Sequence, residues 1–290
     1  MLLFQLLVNG VQVGALYALI AVGFSLIFGS TKVFHFAHGA TFTLAAYVFY
    51  DLYSVRHLHW PLAALAAAGS AVVFGVLLDR LVYEPIRRHR GSFFTLFVAS
   101  FGAGIVVQNL VGMAFGRSFV SVSTPLSKGI EVMSGVFVAP LAGIAILCAL
   151  LFFGALQFLL MRTRVGMGMR ALSENPELVR AYGLSPQRLS VFVFALGSLL
   201  VVPAAVLTAA SSGLNPAIGH HAMLVSLAAT IVGGVGSLRG AACAGLLLGM
   251  AENLALLQFG SQWSEAVTFI VLFLFILVRP SGFFGRAVAH

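Results

Sequence analysis

The stretch MRTRVGMGMRALSENPELVRAYGLSP, residues 161–186, is a polar, charged insert between two long apolar runs. Its flanks set the class of the chain. Of the 290 residues, 60% are hydrophobic and 8% charged, against roughly 25% charged in an ordinary soluble domain. The chain reads as an all-α polytopic membrane protein, one transmembrane domain over residues 1–290. Nine apolar runs are legible, at 3–28, 35–55, 61–83, 93–115, 135–160, 189–210, 221–238, 241–258 and 263–278. Each suits a helix in hydrocarbon roughly 30 Å thick, where backbone groups must bond within their own segment. Runs seven and eight are parted only by Gly236-Ser237-Leu238-Arg239-Gly240. A hairpin that stops short of crossing is open there, and the expected count is eight or nine.

The first run lacks a basic leader and a small-residue cleavage site, so it is expected to stay in the mature chain. Cys148 and Cys243 fall inside apolar runs without metal-type spacing and read as small core residues. Lys and Arg are retained on the cytoplasmic side of membrane proteins. Lys32, Arg80, Arg87, Arg88, Arg90, Arg162, Arg164, Arg170, Arg180, Arg188, Arg239, Arg279 and Arg286 all fall in alternate breaks, which leaves Arg56, Arg117 and Lys128 for the other face. The N-terminus is thereby predicted outside and the C-terminus inside. The net charge of +8 is a topology signal and not a nucleic-acid footprint.

The break at residues 162–188 is far longer than the 2–8 residues that join packed helices. Gly166 and Gly168 are expected to break the preceding helix. Ser173-Glu174-Asn175-Pro176 can cap and start a short helix that Gly183 ends before Ser185-Pro186. Leu178, Val179 and Tyr182 would give it one apolar face, with Glu177 and Arg180 off that face. Such a helix suits docking in a groove on another protein; the plainer reading is a solvated connector.

Gly166, Arg170-Ala171 and Asn175, followed by Ala181-Tyr182-Gly183, resemble the coupling loop of bacterial ABC importer permeases, whose pattern begins G-x-x-x-R-A-x-x-x-N. More narrowly, the chain resembles the branched-chain amino-acid permease family, the LivH and LivM type. Gly14-Ala15-Leu16-Tyr17-Ala18-Leu19, continuing to Gly23, is similar to that family's first helix. Phe36-Ala37-His38-Gly39 resembles its N-F-A-H-G signature, with His35 in place of the usual Asn. Gly233-Gly234-Val235-Gly236-Ser237 with Gly240-Ala241, and Arg279-Pro280-Ser281-Gly282-Phe283-Phe284-Gly285, resemble two further family turns. The match runs nearly the full length, and five motifs in order are specific where any one is weak.

The resemblance implies a non-catalytic permease subunit of an ATP-binding-cassette importer in the bacterial inner membrane. It implies a second permease subunit, two cytoplasmic ATPases and an extracytoplasmic solute-binding protein as partners, and no cofactor. Solute would pass by alternating access, driven through Gly166, Arg170, Ala171, Glu174, Asn175, Arg180 and Gly183. The residues agree that ATP hydrolysis belongs elsewhere, since a P-loop needs Lys followed by Ser or Thr, whereas Lys32 precedes Val33 and Lys128 precedes Gly129. Branched-chain or related amino acids are the implied solutes. The His35 departure widens this, because imidazole can become cationic near pH 6.5 where Asn cannot.

Polar groups at membrane depth are costly and mark pathway candidates. His35 and His38 are spaced i, i+3 and share a face if the second helix has begun by then; Phe36 lies between them and Gly39 follows. Their alternative role is to cap helices or bond neighbouring carbonyls. A second break, Ser211 to His221, carries Asn215 and paired His220 and His221 before a small-residue helix. Two such interruptions entering from opposite faces would suit an inverted repeat with broken helices. Glu252-Asn253 lies inside run eight, where Glu252 either lines the pathway or braces a contact between helices. Tyr17, with Asn9 and Gln12, is a further lining candidate. The small-residue face at Gly245 and Gly249 suits either a permease dimer interface or packing within one subunit. Gly116 to Ser134, the longest outer break, reads as a loop or an interfacial helix. Two rivals remain. An ion-coupled carrier shares the broken-helix logic but leaves the long insert unexplained; a metal-ion permease could use His35, His38, His220, His221 and Glu252.

Overall fold

The computed structural model describes residues 2–133 and 135–285; Arg286, the last of the basic residues assigned to the inner face, lies outside them. Helix α1 (Leu2–Thr31) is the central post. Its sequence has no strong polar face, as expected of a helix enclosed on all sides. It packs on α11 (Leu238–Ala255) through Gly10 and Gly14, which meet Met250, Gly249 and Leu246. Gly245 in turn sits against Tyr17 and Ala18. Small residues four apart on both helices let the backbones approach closely. The Gly245–Gly249 face is therefore used inside the subunit and not between subunits.

Around α1 stand α9 (Pro186–Ser211) and α10 (Ile218–Gly233), with α2 (His38–Tyr50) packed on both of them. The outer shell is α3 (Trp60–Leu78), continued through a π-helical turn at Asp79–Tyr83 into α4 (Glu84–Arg88), then α5 (Phe93–Phe115), α6 (Pro140–Arg162) and α12 (Ser264–Val278). These turn Leu65, Val106, Leu150, Phe158 and Phe273 outward, the distribution expected where the surrounding solvent is lipid. Each of the nine apolar runs forms helix. Five helical stretches are long and apolar enough to cross a membrane: Leu2–Thr31, Trp60–Arg88, Phe93–Phe115, Pro140–Arg162 and Pro186–Ser211.

Helices α2 and α10 begin inside the bundle. At 16 residues α10 reaches about 24 Å, and α2 continues through a π-helical turn at Asp51–Val55. Both start beside the middle of α1: His38 Nε2 donates to the Ile20 carbonyl at 3.0 Å, and His221 Nε2 lies 2.9 Å from the Tyr17 hydroxyl. From there α10 runs with α1, so that Thr230 reaches Ala21 and Gly236 meets Gly29, while α2 runs back along it and brings Phe42 beside Leu16. The two helices thus leave one point in opposite directions.

One expectation changes and two open alternatives are decided. Gly166 and Gly168 do not break a helix. Thr163 does, capping α7 (Arg164–Glu174) by accepting from the Gly166 amide at 3.0 Å. Both glycines lie inside α7, and Gly166 lets it fold against the backbone of Leu159 and Leu160. The segment 116–133 forms no interfacial helix. It carries one turn at Pro125–Ser127 and the strand β1 (Ile130–Met133), paired with β2 (Val136–Val138). Gln5 holds the hairpin to α1 by bonding both the amide and the carbonyl of Phe137. Runs seven and eight do form a helical hairpin, closed by Gly233 against Gly240.

Candidate functional site: a cleft beside a helix crossing and a capped projection

The first turns of α2 and α10 meet at Gly39 and Gly219, where a β-carbon on either would collide with the other's carbonyl. Beside this crossing lies a cavity of about 380 Å³, bordered by Phe36, Gly39, Thr43, Phe101, Gln108, His220, His221, Met223 and Glu265. It shares Gln108, Pro216 and Ala217 with an outer cavity of about 410 Å³ that adds Asn109, Arg117 and Asn215. Together they form a cleft along α5. Asn215 shapes it by accepting from the Ala217 amide at 2.9 Å, which fixes the entry into α10. Leu214 is bridged to Val120 by paired backbone bonds of 2.6 and 2.9 Å, so the loop after α5 and the second break are one unit.

A second cavity of about 460 Å³ lies on the α1 side, bordered by Asn9, Gln12, Tyr17, Thr208, Ser211, Ser212, His221 and Asn253. Its polar side chains carry no fixed charge. His221 borders both cavities. The pathway candidates therefore divide: Phe36, Gly39 and Asn215 belong to the α5 cleft, Tyr17 and Asn253 to the α1 cavity.

His35 and His38 border neither. Both are fully enclosed, because α2 begins only at His38 and the preceding extended segment is packed inside the bundle. His35 Nδ1 is 2.8 Å from the Tyr83 hydroxyl, and its ring stands edge-on to Phe194. In this conformation the pair braces helices. Glu252 is also buried. Tyr17 donates to its Oε2 at 2.7 Å and Thr268 to its Oε1, so it ties α1, α11 and α12. Among the described residues no three His, Cys, Asp or Glu gather as a metal site.

At the end of the molecule where α1 finishes, α7 turns into α8 (Pro176–Ala181). Asn175 Oδ1 accepts from the amides of Glu177 and Leu178 at 2.9 and 3.1 Å, and Gly183 ends the projection at φ +75°. Val179 is turned inward, whereas Leu178 and Tyr182 are 51% and 77% exposed. The expected three-residue apolar face is split because successive helical residues point about 100° apart. Positions 178 and 182 share the outer face and 179 does not. Arg170, Glu174 and Arg180 are exposed, with Ala171 half-buried on α7. Glu174 and Arg180 border a cavity of about 320 Å³ shared with Lys32, Glu84 and Arg87.

Sequence reading missed the brace under this projection. Asp79, 1% exposed, accepts from Arg87 at 2.6 Å and from Ser190 at 3.0 Å. It pins the α3–α4 junction to the first turns of α9, immediately after the projection. The signal was present as an acid inside an apolar run. Glu265 carries the same signal inside the ninth run, and His221 belongs to the second break; that both border one cleft is visible only in the structure.

A sequence model of the family described as branched-chain amino acid transport system, permease component, matches residues 6–276. The high-affinity branched-chain amino acid transport system permease protein BraD of Pseudomonas aeruginosa is 31% identical, over 97% of this chain and 95% of its own. The corresponding permease protein LivH of Escherichia coli is 28% identical over the same shares. The PsaBC structure from Streptococcus pneumoniae, solved in complex with a Fab, covers 96% of this chain and 93% of its own at a TM-score of 0.54 and 12% identity, a likeness of fold. With nearly its whole length matched, the chain belongs to the branched-chain amino acid transport permease family.

Proposed function

We propose that this chain is the permease subunit of an ATP-binding-cassette importer that carries branched-chain or related amino acids across a bacterial inner membrane by alternating access. The observation that carries the reading is the pairing of a capped, outward-facing projection at one end with a cleft beside the crossing of α2 and α10. Caps at both ends support a docking helix over a solvated connector. Asn175 and Gly183 fix both its ends, while Leu178 and Tyr182 remain uncovered, the arrangement of a helix made to sit in a partner's groove. Two ATPases would take these projections, so that end is cytoplasmic and the N-terminus external. A displacement of α8 would reach α9 directly and the α3–α4 junction through Asp79 and Ser190.

Solute passes, in this reading, along the α5 cleft. The cleft is open on its α5 side, where Phe94, Val98, Phe101 and Ile105 are exposed, and a second permease subunit would close it. A soluble binding protein delivers the amino acid at the outer end, near Arg117 and Asn215. The test is reconstitution with the companion subunits in proteoliposomes. ATP-dependent leucine uptake that needs both the ATPases and a loaded binding protein is expected. Uptake by the lone polypeptide without ATP would reject the importer assignment in favour of an ion-coupled carrier.

A further inference from the structure

We infer that Glu265 is the residue that recognises the α-ammonium group of the solute. The inference rests on reading the α5 cleft as the solute pathway. Glu265 stands in the first turn of α12 with its side chain 57% exposed, and borders the inner cavity. It is the one Asp, Glu, Lys or Arg among the residues bordering that cavity. Phe36, Phe101, Ile105 and Met223 supply an apolar wall opposite. An acid beside an apolar wall suits a primary ammonium carrying an aliphatic side chain and repels an anion.

Beside this acid, His221 Nδ1 lies 3.5 Å from Glu265 Oε1, and the same His221 also borders the α1 cavity.

The test uses the assembled importer, without nucleotide, and photo-leucine, the diazirine analogue of leucine, as the probe. Labelled peptides are located by mass spectrometry, with leucine or 4-methylpentanoate, which lacks the ammonium, as competitor. The expected result is labelling at Phe36, Phe101 or Met223, abolished by leucine and untouched by an equal concentration of 4-methylpentanoate. Glu265→Gln should lower labelling about tenfold, the worth of one charge-assisted contact, and Glu265→Asp should restore part of it. Labelling of the cleft that both competitors abolish equally would overturn the role of Glu265 and leave the pathway standing. Labelling confined to the α1 cavity, in a complex that still transports with ATP, would overturn the pathway reading and this inference together. The competition in the wild-type complex needs no variant and decides the matter even if the substitutions prevent assembly.

Discussion

Gly39 and Gly219 touch backbone to backbone, each occupying the space a β-carbon on the other would need. The contact joins the first turns of two helices that run in opposite directions from the middle of the bundle. It is what allows a cleft to open beside them without a gap at the crossing.

Replacing either glycine should therefore push α2 and α10 apart. Gly39→Val or Gly219→Val forces carbon into a backbone contact, and overpacking of this kind costs roughly 1–3 kcal/mol. A lower melting temperature of the purified protein in mild detergent is expected for both. Gly69→Ala is the control, since nothing lies within 4 Å of its added carbon. Equal melting of all three would mean the crossing is not tight.

Tyr17 and Thr268 are the two donors to the buried carboxylate of Glu252. Tyr17→Phe should destabilise by about 1–3 kcal/mol, because a buried acceptor loses a partner. The double variant Tyr17→Phe with Glu252→Gln should cost clearly less than the sum of the single changes, since residues sharing a hydrogen bond are not independent. Strict additivity in thermal unfolding would show that the bond contributes nothing.

Arg87 is the only cation on the buried Asp79 among the described residues. Arg87→Ala leaves an uncompensated buried charge, a defect worth about 3–5 kcal/mol. Asp79→Asn with Arg87→Ala removes that charge and should recover much of the loss. Measured stability of the double variant below that of Arg87→Ala would contradict the assignment of the pair.

On the projection, Tyr182→Ala and Leu178→Ala remove exposed apolar contacts without touching the fold. Co-purification of the ATPase subunits should fall, and substrate-stimulated ATP hydrolysis with it, while the isolated permease melts as before. Asn175→Ala acts differently. It strips an N-cap worth about 0.5–2 kcal/mol and should loosen α8 itself, seen as faster amide exchange over residues 177–182. Arg170→Glu should also weaken coupling; unchanged ATPase stimulation would remove Arg170 from that interface.

Much of this architecture was legible in the order of residues. Apolar length, the placement of Lys and Arg, and caps such as Asn175 and Gly183 are local properties, so the helices and the projection between residues 162 and 188 could be read directly. A helix's depth is not local. His35 and His38 carry the look of pathway residues, yet the extended segment before α2 is folded inside the bundle, and each ring is held through one nitrogen, on the Tyr83 hydroxyl and the Ile20 carbonyl. Glu252 could line or brace, and only the positions of Tyr17 and Thr268, far away in sequence, made it a brace. Conversely, Glu265 and His221 sit at the starts of two separate helices, and their meeting on one cleft depends on how α10 and α12 pack. Sequence by itself determined the class, the segments and the capped projection, because hydropathy and capping act over a few residues. Tertiary structure alone decided which polar groups face a cavity, because that is settled by contacts between helices that the chain order does not record.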